Sequence, residues 1–315
     1  MHGVRSWLRD RLTGAYERLL KREVSGTPGH VAIIQDGNRR YAREQGTDAT
    51  EGHEAGAETT EQVLDWCAEL DIDELTLYAF STENFNRDPA ERDHLFDLIE
   101  SKLREFADAD RVHENGVCIR AIGEIDRLPA RVRDAVAYAE SRTRDYDGFR
   151  LNVALAYGGR NELLRAARDV SATVDRGELA PEEIDVATVE NRLYGHPVRE
   201  VDLIVRTGGD ERTSNFLPWY ANGNEAAVFF CAPYWPEFSK VDFLRAIRTF
   251  ESREASWRQA RAGRAVALVR AVAREEIEEA RAVARRLRGT LPSGRDADVV
   301  EEVAPAPEGS NEPAD

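Results

Sequence analysis

A glycine pair between two arginines stands at the end of an apolar run near residue 206. Arginine offers planar, forked hydrogen-bond donors and glycine lets the backbone approach a ligand closely, so such a loop can bind a diphosphate. An exposed turn with surface arginines explains the same residues, because a glycine-rich loop is only a hypothesis until its context is known. The segment reads Asp202-Leu-Ile-Val-Arg206-Thr-Gly-Gly-Asp-Glu-Arg212-Thr-Ser214-Asn-Phe216.

A second candidate site begins at Asp36, which follows the first apolar run and precedes Gly37-Asn38-Arg39-Arg40 at the start of a predicted helix. A carboxylate oxygen is a hard ligand for Mg²⁺, while backbone N–H groups and arginines at a helix start bind phosphate oxygens. These residues predict a cradle for a Mg²⁺-bound diphosphate. A plain N-terminal helix cap at Asp36 is the open alternative.

A histidine lies in the next motif, Gly52-His53-Glu54-Ala55-Gly56, before a helix predicted to run to about Leu70. At that helix start His53 could donate a hydrogen bond to phosphate or transfer a proton. A lone histidine is more often structural, so its role depends on the motifs that lie beside it.

Six short apolar runs alternate with intervals, most of which are long enough for a helix. This alternation predicts an α/β fold with a single, mostly parallel β-sheet flanked by helices. Ligands in such sheets bind beyond the carboxyl ends of the strands, and polar clusters follow the runs at 36–40, 81–87, 158–160 and 206–214. We therefore expect these polar clusters to lie together at one edge of the sheet, which we call the rim. The runs are His30–Ile34, Leu75–Phe80, Val117–Ile122, Leu151–Leu155, Leu203–Val205 and Ala226–Phe230.

The 315-residue chain is strongly acidic, with a formal net charge of −16. Lysine occurs only at Lys21, Lys102 and Lys240, so nearly all the basic charge is arginine. Such acidity repels nucleic acid unless basic charge is localised, so we expect no nucleic-acid partner. A dense carboxylate surface tolerates its own repulsion where screening is short-ranged, which favours a halophilic source.

Cysteine usage and hydropathy favour a cytoplasmic protein. Cys67, Cys118 and Cys231 are widely spaced in apolar segments, as buried thiols are in a reducing compartment. No apolar run approaches the roughly 20 residues of a membrane span, and the N-terminus lacks a signal-peptide pattern. The histidines show no zinc-binding spacing.

Composition divides the chain into four segments. Residues 1–29 contain a predicted amphipathic helix that packs on the domain or contacts a membrane surface peripherally; both alternatives stay open. The alternating pattern predicts an α/β domain at 30–251, a charged helix is predicted at 252–290, and an acidic tail at 291–315 is predicted to be disordered. The apolar residues of the first helix are Val4, Trp7, Leu8, Leu12, Tyr16, Leu19 and Leu20.

Six motifs follow one another between residues 30 and 250, in an order that one family shares. They are His30-Val-Ala-Ile-Ile-Gln-Asp36-Gly-Asn-Arg-Arg-Tyr41, Gly52-His53-Glu-Ala-Gly56, Tyr78-Ala-Phe-Ser-Thr-Glu-Asn84-Phe-Asn-Arg87, Asn152-Val-Ala-Leu-Ala-Tyr-Gly-Gly-Arg160, Arg206-Thr-Gly-Gly-Asp-Glu-Arg212-Thr-Ser-Asn-Phe216 and Trp235-Pro-Glu-Phe238. Together they closely resemble the cis-prenyltransferases, the undecaprenyl and dehydrodolichyl diphosphate synthases.

The resemblance implies roles for individual residues. Asp36 is expected to be a catalytic Mg²⁺ ligand, Glu225 a second metal-linked carboxylate, and Asn84 a catalytic residue that acts in the condensation geometry. Arg206, Arg212 and Ser214 match the site of isopentenyl diphosphate. The other expected substrate-binding residues are Gly37, Asn38, Arg39, Arg40, Tyr41, His53, Ser81, Thr82, Glu83, Phe85 and Arg87.

An enzyme that lengthens an isoprenoid chain also needs an apolar tunnel, because each added unit would otherwise lie in water. The resemblance implies such a tunnel between the sheet and the helices. One predicted helix face could line it, although ordinary core packing explains that face equally well. The face consists of Leu95, Phe96, Leu98, Ile99, Leu103 and Phe106.

The chain departs from the family pattern, chiefly on the primer side. Ala49 stands four residues before the motif histidine, where the family commonly has an arginine. Either the primer binds more weakly, or Arg39, which replaces a glycine of the usual bacterial motif, supplies another cation. Tyr41 and Phe85 replace common tryptophans, and Asp210 replaces the usual glutamate before the second loop arginine.

We therefore predict a cytoplasmic enzyme that condenses isopentenyl diphosphate onto an allylic diphosphate to give a long Z-polyprenyl diphosphate, the precursor of a glycosyl carrier lipid. Geranylgeranyl diphosphate is the favoured primer and farnesyl diphosphate the alternative. Gly158-Gly159-Arg160, as in self-sufficient members of the family, favours a homodimer. Two competing hypotheses are a non-catalytic isoprenoid-diphosphate-binding subunit and a nucleotide-binding α/β protein. The second would need a Walker or G-x-G-x-x-G signature between a strand and a helix, which the sequence lacks.

Overall fold

Six strands form one sheet in which every neighbouring pair is parallel, in the order β3-β4-β2-β1-β5-β6. The computed structural model describes residues 2–194, 199–221 and 226–256, and of residues 2–10, 12, 13 and 194 only the backbone. The α/β class and all six predicted strands are confirmed, with ends that differ by at most two residues. The strands are β1 His30–Ile34, β2 Glu74–Tyr78, β3 Val117–Ile122, β4 Phe149–Ala154, β5 Leu203–Arg206 and β6 Ala227–Phe230.

Side chains alternate along β1 between two hydrophobic clusters, one for each face of the sheet. Val31 and Ile33 belong to the larger cluster, which α1, α3, α4, α6 and the helical residues 240–256 complete. Ala32 and Ile34 belong to the smaller cluster around Phe216. Burial on both faces explains why these strands read as continuous apolar runs. The helices are α1 His2–Glu23, α2 Asn38–Gln45, α3 Ala49–Glu69, α4 Pro89–Asp108, α5 Asp110–Glu114, α6 Ala130–Thr143, α7 Gly159–Asp175 and α8 Val186–Tyr194.

The chain order makes β1 the topological switch point of the sheet. The chain passes from β1 to β2 on one side and later returns to β5 on the other side of β1. Loops that leave β1, β2 and β5 therefore diverge at the same edge, and a crevice opens between them. This is the rim at which the sequence predicts that polar clusters meet.

Local capping fixes where α3 and α4 begin beside that rim. Asp48 accepts hydrogen bonds from the backbone N–H groups of Thr50 and Glu51, at 2.8 and 3.2 Å. Asp88 accepts from the N–H of Ala90 at 2.9 Å, and Pro89 occupies the first turn of α4. These caps satisfy N–H groups that a helix start leaves unpaired, so both helices begin at defined residues.

The predicted N-terminal helix is present as α1, and it packs on the domain through Leu20, which is fully buried. Leu19 and Tyr16 are exposed, although Arg245 lies over the Tyr16 ring at 5.6 Å. No helix in the described part of the chain is long and apolar enough to cross a membrane. Contact of α1 with a membrane surface stays a prediction.

Other predictions fall beyond the described ranges or stay untested. The long charged helix predicted at 252–290 is helical through residue 256, and the remainder of it and the tail at 291–315 lie outside the described residues. The proposed domain boundaries are therefore still predictions. All three cysteines are free thiols, and burial raises the pKa of Cys231 to about 12.

Candidate active site

The carboxyl ends of β1 and β5 lie side by side, because Ile34 pairs with Arg206 in the sheet register. Arg206 ends β5, and its side chain is only 4% exposed. Its Nη2 atom donates to Asp36 Oδ2 at 2.6 Å and to Asp210 Oδ2 at 3.0 Å. A buried guanidinium needs such partners, since an uncompensated interior charge is strongly destabilising. The arginine loop and the predicted metal carboxylate are therefore in direct contact.

The other donors of Arg206 face the loop that follows β5. Its Nη1 atom donates to the carbonyl oxygen of Arg212 at 2.6 Å and to Ser214 Oγ. Its Nε atom is buried and has no hydrogen-bond partner among the described residues. Buried donors are nearly always satisfied, so this atom marks a place where a ligand oxygen fits. The Arg212 side chain is 71% exposed, and its Nη2 atom lies 3.1 Å from Asp210 Oδ2.

The loop after β5 adopts left-handed backbone angles at several residues. Gly208 and Gly209 have φ values of +83° and +78°, and the non-glycine residues Ser214 and Asn215 have +48° and +61°. A left-handed conformation is uncommon for residues that carry a Cβ atom. Strain of this kind persists where surrounding contacts hold it and is concentrated at ligand-binding loops.

Arg40 approaches this loop so closely that position 208 has no room for a side chain. A Cβ atom on Gly208 would lie 2.6 Å from Arg40 Nη2. Arg40 Nη1 donates to the carbonyl oxygen of Gly208 at 2.7 Å, and Nη2 lies 3.2 Å from Asp36 Oδ1. The guanidinium also lies over the Tyr234 ring at 5.4 Å. Asp36 thus contacts two arginines, one from each predicted diphosphate motif.

The start of α2 lies next to the same carboxylate. Its N-terminal cap is Gly37, with φ +107° and no side-chain cap, so the alternative that Asp36 is merely a helix cap is wrong. A Cβ atom at residue 37 would lie 2.6 Å from Tyr234 Cδ1. Thr207 Oγ1 accepts from the Asp36 N–H at 3.0 Å and donates to the Asp36 carbonyl at 2.7 Å. The N–H groups at this helix start suit an anion.

A second charged cluster joins α3 to α4 on the other side of the crevice. Arg87 Nη1 donates to Glu91 Oε1 at 2.7 Å and lies 3.3 Å from His53 Nε2. His53 Nε2 also lies 3.4 Å from Glu91 Oε1. Burial, together with the positive charge of Arg87, lowers the pKa of His53 to about 4. The imidazole is therefore neutral near pH 7, when it can donate one hydrogen bond and accept one.

Asn38 connects the two halves of the crevice. Its Nδ2 atom lies 3.4 Å from His53 Nδ1. Its Oδ1 atom is buried and has no partner among the described residues. Arg39, on the next position of α2, is half exposed with Nε 3.6 Å from Glu91 Oε1. Arg39 thus adds a cation to the cluster around Glu91.

The motif after β2 folds into a 3-10 turn, Thr82–Asn86, at the same rim. Asn84 Oδ1 accepts from the Ser81 N–H at 2.9 Å, so the amide of Asn84 is held by its own turn. Thr82 N–H donates to the carbonyl of Tyr157 at 2.9 Å, which ties the turn to the loop after β4. The remaining predicted residues are Glu83 and Phe85 on this turn and Tyr41 on α2; Phe85 packs on Phe80 and lies under Arg127.

An apolar cavity of about 130 Å³ lies between the sheet and helices α3 and α4. Gln35, Asn38 and His53 line it at the crevice end, so it opens beside the charged cluster. An apolar cavity is therefore present where the resemblance implies a tunnel. Of the predicted face, Leu95, Leu98, Ile99, Leu103 and Phe106 line the cavity. Phe96 instead packs against Phe80 and Phe85.

The donor set is suitable for a magnesium ion that a substrate shares. Mg²⁺ is usually held by one or two carboxylates together with substrate phosphates and water. The Asp36 side chain is 30% exposed at the rim, so its oxygens are accessible. The described residues contain no cluster of three or more metal-ligating side chains, so a resident protein cage is absent there. Glu225, the second predicted ligand, lies outside the described residues.

Three residues at the site were missed by sequence reasoning. Glu91 pairs with Arg87 and His53, and its position four residues after Arg87 is a helical spacing that the sequence does show. Thr207 and Tyr234 contact Asp36 and Arg40 from loops distant in sequence, and no local pattern indicates those contacts.

Similarity to known proteins agrees with this geometry. A family model described as "Putative undecaprenyl diphosphate synthase" matches residues 34–258. A Halobacterium salinarum protein named tritrans,polycis-undecaprenyl-diphosphate synthase (geranylgeranyl-diphosphate specific) is 68% identical, over 92% of this chain and 95% of its own length. A protein of the same name from Haloarcula marismortui is 67% identical, over 89% of this chain and 92% of its own.

A solved structure is similar in fold as well as in sequence. Lavandulyl diphosphate synthase from Lavandula x intermedia, in complex with dimethylallyl diphosphate, superposes with a TM-score of 0.65 at 34% identity. The match covers 71% of this chain and 95% of that protein. Both close relatives come from halophiles, as the acidic composition of this chain led us to expect.

The lowered pKa of His53 predicts how stability depends on pH. Because the unfolded chain protonates this imidazole near pH 6.5 and the folded chain only near 4, the free energy of unfolding should decrease as pH falls through that window. Replacing His53→Gln should make the decrease shallower, as measured by denaturant unfolding at constant KCl. Titrating groups that do not contact His53 are common to both proteins and cancel. Equal slopes for the two proteins would contradict a buried neutral imidazole.

Alanine substitutions at two adjacent glycines test whether diphosphate binding requires the close approach of Arg40 to the loop after β5. Both have left-handed φ values, but a Cβ atom meets Arg40 Nη2 at Gly208 and open space at Gly209. Gly208→Ala should therefore weaken binding of inorganic diphosphate at least about tenfold more than Gly209→Ala, since it displaces a charge-assisted donor. Calorimetric titration of both variants is the measurement. If the two alanines have the same effect, backbone strain alone is responsible.

Proposed function

The chain belongs to the undecaprenyl diphosphate synthase family of cis-prenyltransferases, and we propose that it extends geranylgeranyl diphosphate with isopentenyl diphosphate. The product is a long Z-polyprenyl diphosphate of the undecaprenyl type, the precursor of a glycosyl carrier lipid. The family match and the names of the two halophile relatives support this activity. Nothing in these findings favours a non-catalytic subunit.

One arrangement supports the proposal most directly. Asp36 lies between Arg206 and Arg40 at the switch point of the sheet, and an apolar cavity opens next to it. A substrate with an anionic head and an apolar tail matches this combination, because the head meets guanidiniums and the tail leaves water. A nucleotide would need no cavity lined by leucine, isoleucine and phenylalanine.

In this proposal the loop after β5 binds the diphosphate of isopentenyl diphosphate. Arg206, Arg212 and Ser214 are its ligands, and the strained loop holds their donors before the ligand arrives. Phosphate oxygens offer Arg206 the same acceptor geometry that Asp36 and Asp210 now provide. The carboxylates thus keep the buried guanidinium oriented, and a bound diphosphate replaces part of their contacts.

The start of α2 binds the primer diphosphate in the same scheme. The backbone from Gly37 to Arg39 offers N–H groups, Asn38 offers its amide, and Arg40 offers a guanidinium. Asp36 would hold Mg²⁺, with Glu225 as the second carboxylate; the ion would neutralise charge on the departing diphosphate. Arg39 replaces the cation that Ala49 lacks, since it already lies beside the Glu91 cluster.

The reaction breaks the bond between the allylic carbon and its diphosphate oxygen. The double bond of isopentenyl diphosphate supplies the electron pair for the new carbon–carbon bond, and loss of a proton from the isopentenyl unit leaves a Z double bond. Arg40 stabilises the negative charge that develops on the leaving group. Asn84 orients the reacting ends as the second catalytic residue. The surrounding substrate-binding residues are Tyr41, His53, Ser81, Thr82, Glu83, Phe85 and Arg87.

The assembly and location belong to the proposal as well. We expect a homodimer, in line with Gly158-Gly159-Arg160, and a cytoplasmic enzyme whose α1 helix can approach a membrane surface that receives the product. Within one chain, Gly159 N–H already donates to the carbonyl of Asn215 at 2.9 Å. This glycine pair therefore also supports the loop that carries Ser214.

Comparison of two allylic diphosphates tests which primer the enzyme prefers. With labelled isopentenyl diphosphate and Mg²⁺ at high KCl, we expect incorporation with geranylgeranyl diphosphate and a lower kcat/KM with farnesyl diphosphate. Chromatographic sizing of the dephosphorylated products identifies their length. The control omits Mg²⁺. An absence of incorporation with every primer would exclude the enzyme and leave the binding subunit as the function.

Replacing, one at a time, the two carboxylates that pair with Arg206 distinguishes a role in metal binding from a role in ion pairing. Asp36→Ala should lower kcat at least about 100-fold, because the electrostatic stabilisation of the leaving group is lost. Asp210→Ala removes the other carboxylate at 3.0 Å from Arg206 and should cost far less. Without Mg²⁺, Asp36→Ala should bind inorganic diphosphate at least as tightly as the wild type, since a competing anion is gone. Near-normal turnover of Asp36→Ala would refute its metal role.

A further inference from the structure

Helix α7 begins without a side-chain cap of its own. Its N-cap residue is Gly158, which has no side chain to accept a hydrogen bond from the first turn. Asn215, in the loop after β5, accepts instead. Its carbonyl oxygen accepts from the Gly159 N–H at 2.9 Å, and its Oδ1 atom accepts from the Arg160 N–H at 2.8 Å. One loop residue thus satisfies two N–H groups that a helix start leaves unpaired.

The backbone of Asn215 has a conformation that suits this role. Its φ is +61°, in the left-handed region, which asparagine adopts more readily than most residues with a Cβ atom. Ser214 precedes it with φ +48°, and its Oγ atom accepts from Arg206 Nη1. Strained angles of this kind persist only where other contacts hold them. The two hydrogen bonds to α7 are such contacts.

Phe216 anchors the same loop in the smaller hydrophobic cluster. It is buried, and its ring stacks on Tyr78 at 4.5 Å with 6° between the planes. Tyr157 meets the ring edge-on at 5.9 Å. This packing fixes the end of the loop, whereas hydrogen bonds, which are directional, set the orientation of the residues before it. The Asn215 side chain is therefore the contact that a substitution can remove while the anchor stays.

The 3-10 turn after β2 also contacts the start of α7. The carbonyl of Tyr157, the residue before Gly158, accepts from the Thr82 N–H at 2.9 Å. A Cβ atom at residue 158 would lie 2.9 Å from Thr82 Oγ1 and 3.5 Å from Asn215 Nδ2. The turn that carries Asn84 and the loop that carries the arginines therefore meet at one helix start.

We propose that Asn215 is a positioning residue, which caps α7 from the loop after β5 and so sets Ser214 for the diphosphate of isopentenyl diphosphate. The identity of that ligand rests on the proposed function, whereas the hold on the loop does not. A loop that is ordered in advance does not have to be ordered by its ligand, which strengthens binding. The same cap fixes Ser214 relative to the turn that carries Asn84.

Loss of the cap should affect one substrate only. Asn215→Ala and Asn215→Gly both lack the acceptor, so each should raise the KM for isopentenyl diphosphate about three- to tenfold, as expected for one net hydrogen bond. The KM for the allylic diphosphate, which binds at the start of α2, should stay within about twofold. The value of kcat should also stay within about twofold, because a saturating ligand orders the loop. A lower kcat with both KM values unchanged would indicate a merely unstable protein and overturn the proposal.

The two replacements separate the lost acceptor from backbone effects. Glycine adopts the left-handed angle freely, whereas alanine is strained there. An effect of Asn215→Ala alone would assign it to strain, an effect of Asn215→Gly alone would assign it to flexibility, and either result would overturn the proposal. Asn215→Asp keeps an acceptor oxygen and should restore the wild-type KM within about twofold in molar KCl, which screens the added charge. A KM as high as that of Asn215→Ala would count against the cap.

Helix α8, which packs beside α7 and carries none of the predicted site residues, offers a matched control. Asp185 Oδ1 accepts from the Thr188 N–H at 2.8 Å at the start of this helix. Asp185→Ala therefore removes a helix cap of the same kind. It should lower the denaturation midpoint as Asn215→Ala does, but leave kcat and both KM values unchanged. An equal rise in the KM for isopentenyl diphosphate would show a general loosening of the two helices, and the proposal would be wrong.

Hydrogen exchange, followed by mass spectrometry, measures the hold on the loop without any substrate. Amides in peptides that cover residues 207–217 should exchange about three- to tenfold faster in Asn215→Ala and Asn215→Gly than in the wild type and Asn215→Asp. Peptides from α2 should exchange equally in all four proteins. Equal exchange of the loop in all four would overturn the proposal. If the wild type elongates no primer, the proposed function alone fails, and this comparison still decides the role of Asn215.

Discussion

A single buried guanidinium organises the active site. Arg206 ends a central strand and is almost fully enclosed, so the structure must neutralise its charge, and Asp36 and Asp210 do so. The same need fixes the carboxylate of Asp36 in the crevice, where Arg40 also reaches it. The two proposed diphosphate sites are therefore electrostatically linked, because each carries an arginine and Asp36 is the anion between them.

Sheet topology provides the place for this interaction. Because β1 lies between β2 and β5, the loops that follow all three strands begin at one edge and separate there. The register brings Ile34 opposite Arg206, so two residues of loop suffice to set Asp36 against the guanidinium. Capping by Asp48 and Asp88 then places His53 and Glu91 early in their helices, which gives the crevice its second charged wall.

The strands, the rim and the residues that meet there could be read from the sequence, because each depends on local periodicity or on a motif. The contacts that the sequence did not predict join residues that are far apart in the chain. Thr207 and Tyr234 reach the site through packing between segments far apart in the chain, and no pattern encodes such a contact. Phe96 has the helical spacing of its cavity-lining neighbours, yet aromatic partners on the adjacent turn bury it elsewhere. Periodicity identifies a helix face, but packing decides what lies against it.

Helix α3 connects the charged crevice to the apolar cavity. His53, Gly56 and Thr60, about one helical turn apart, all line that cavity. At 1.5 Å per residue, the step from His53 to Thr60 spans about 10 Å. One face of a single helix therefore carries a residue of the charged cluster near its start and apolar surroundings within two turns, which is the combination that a substrate with an anionic head and an apolar tail requires.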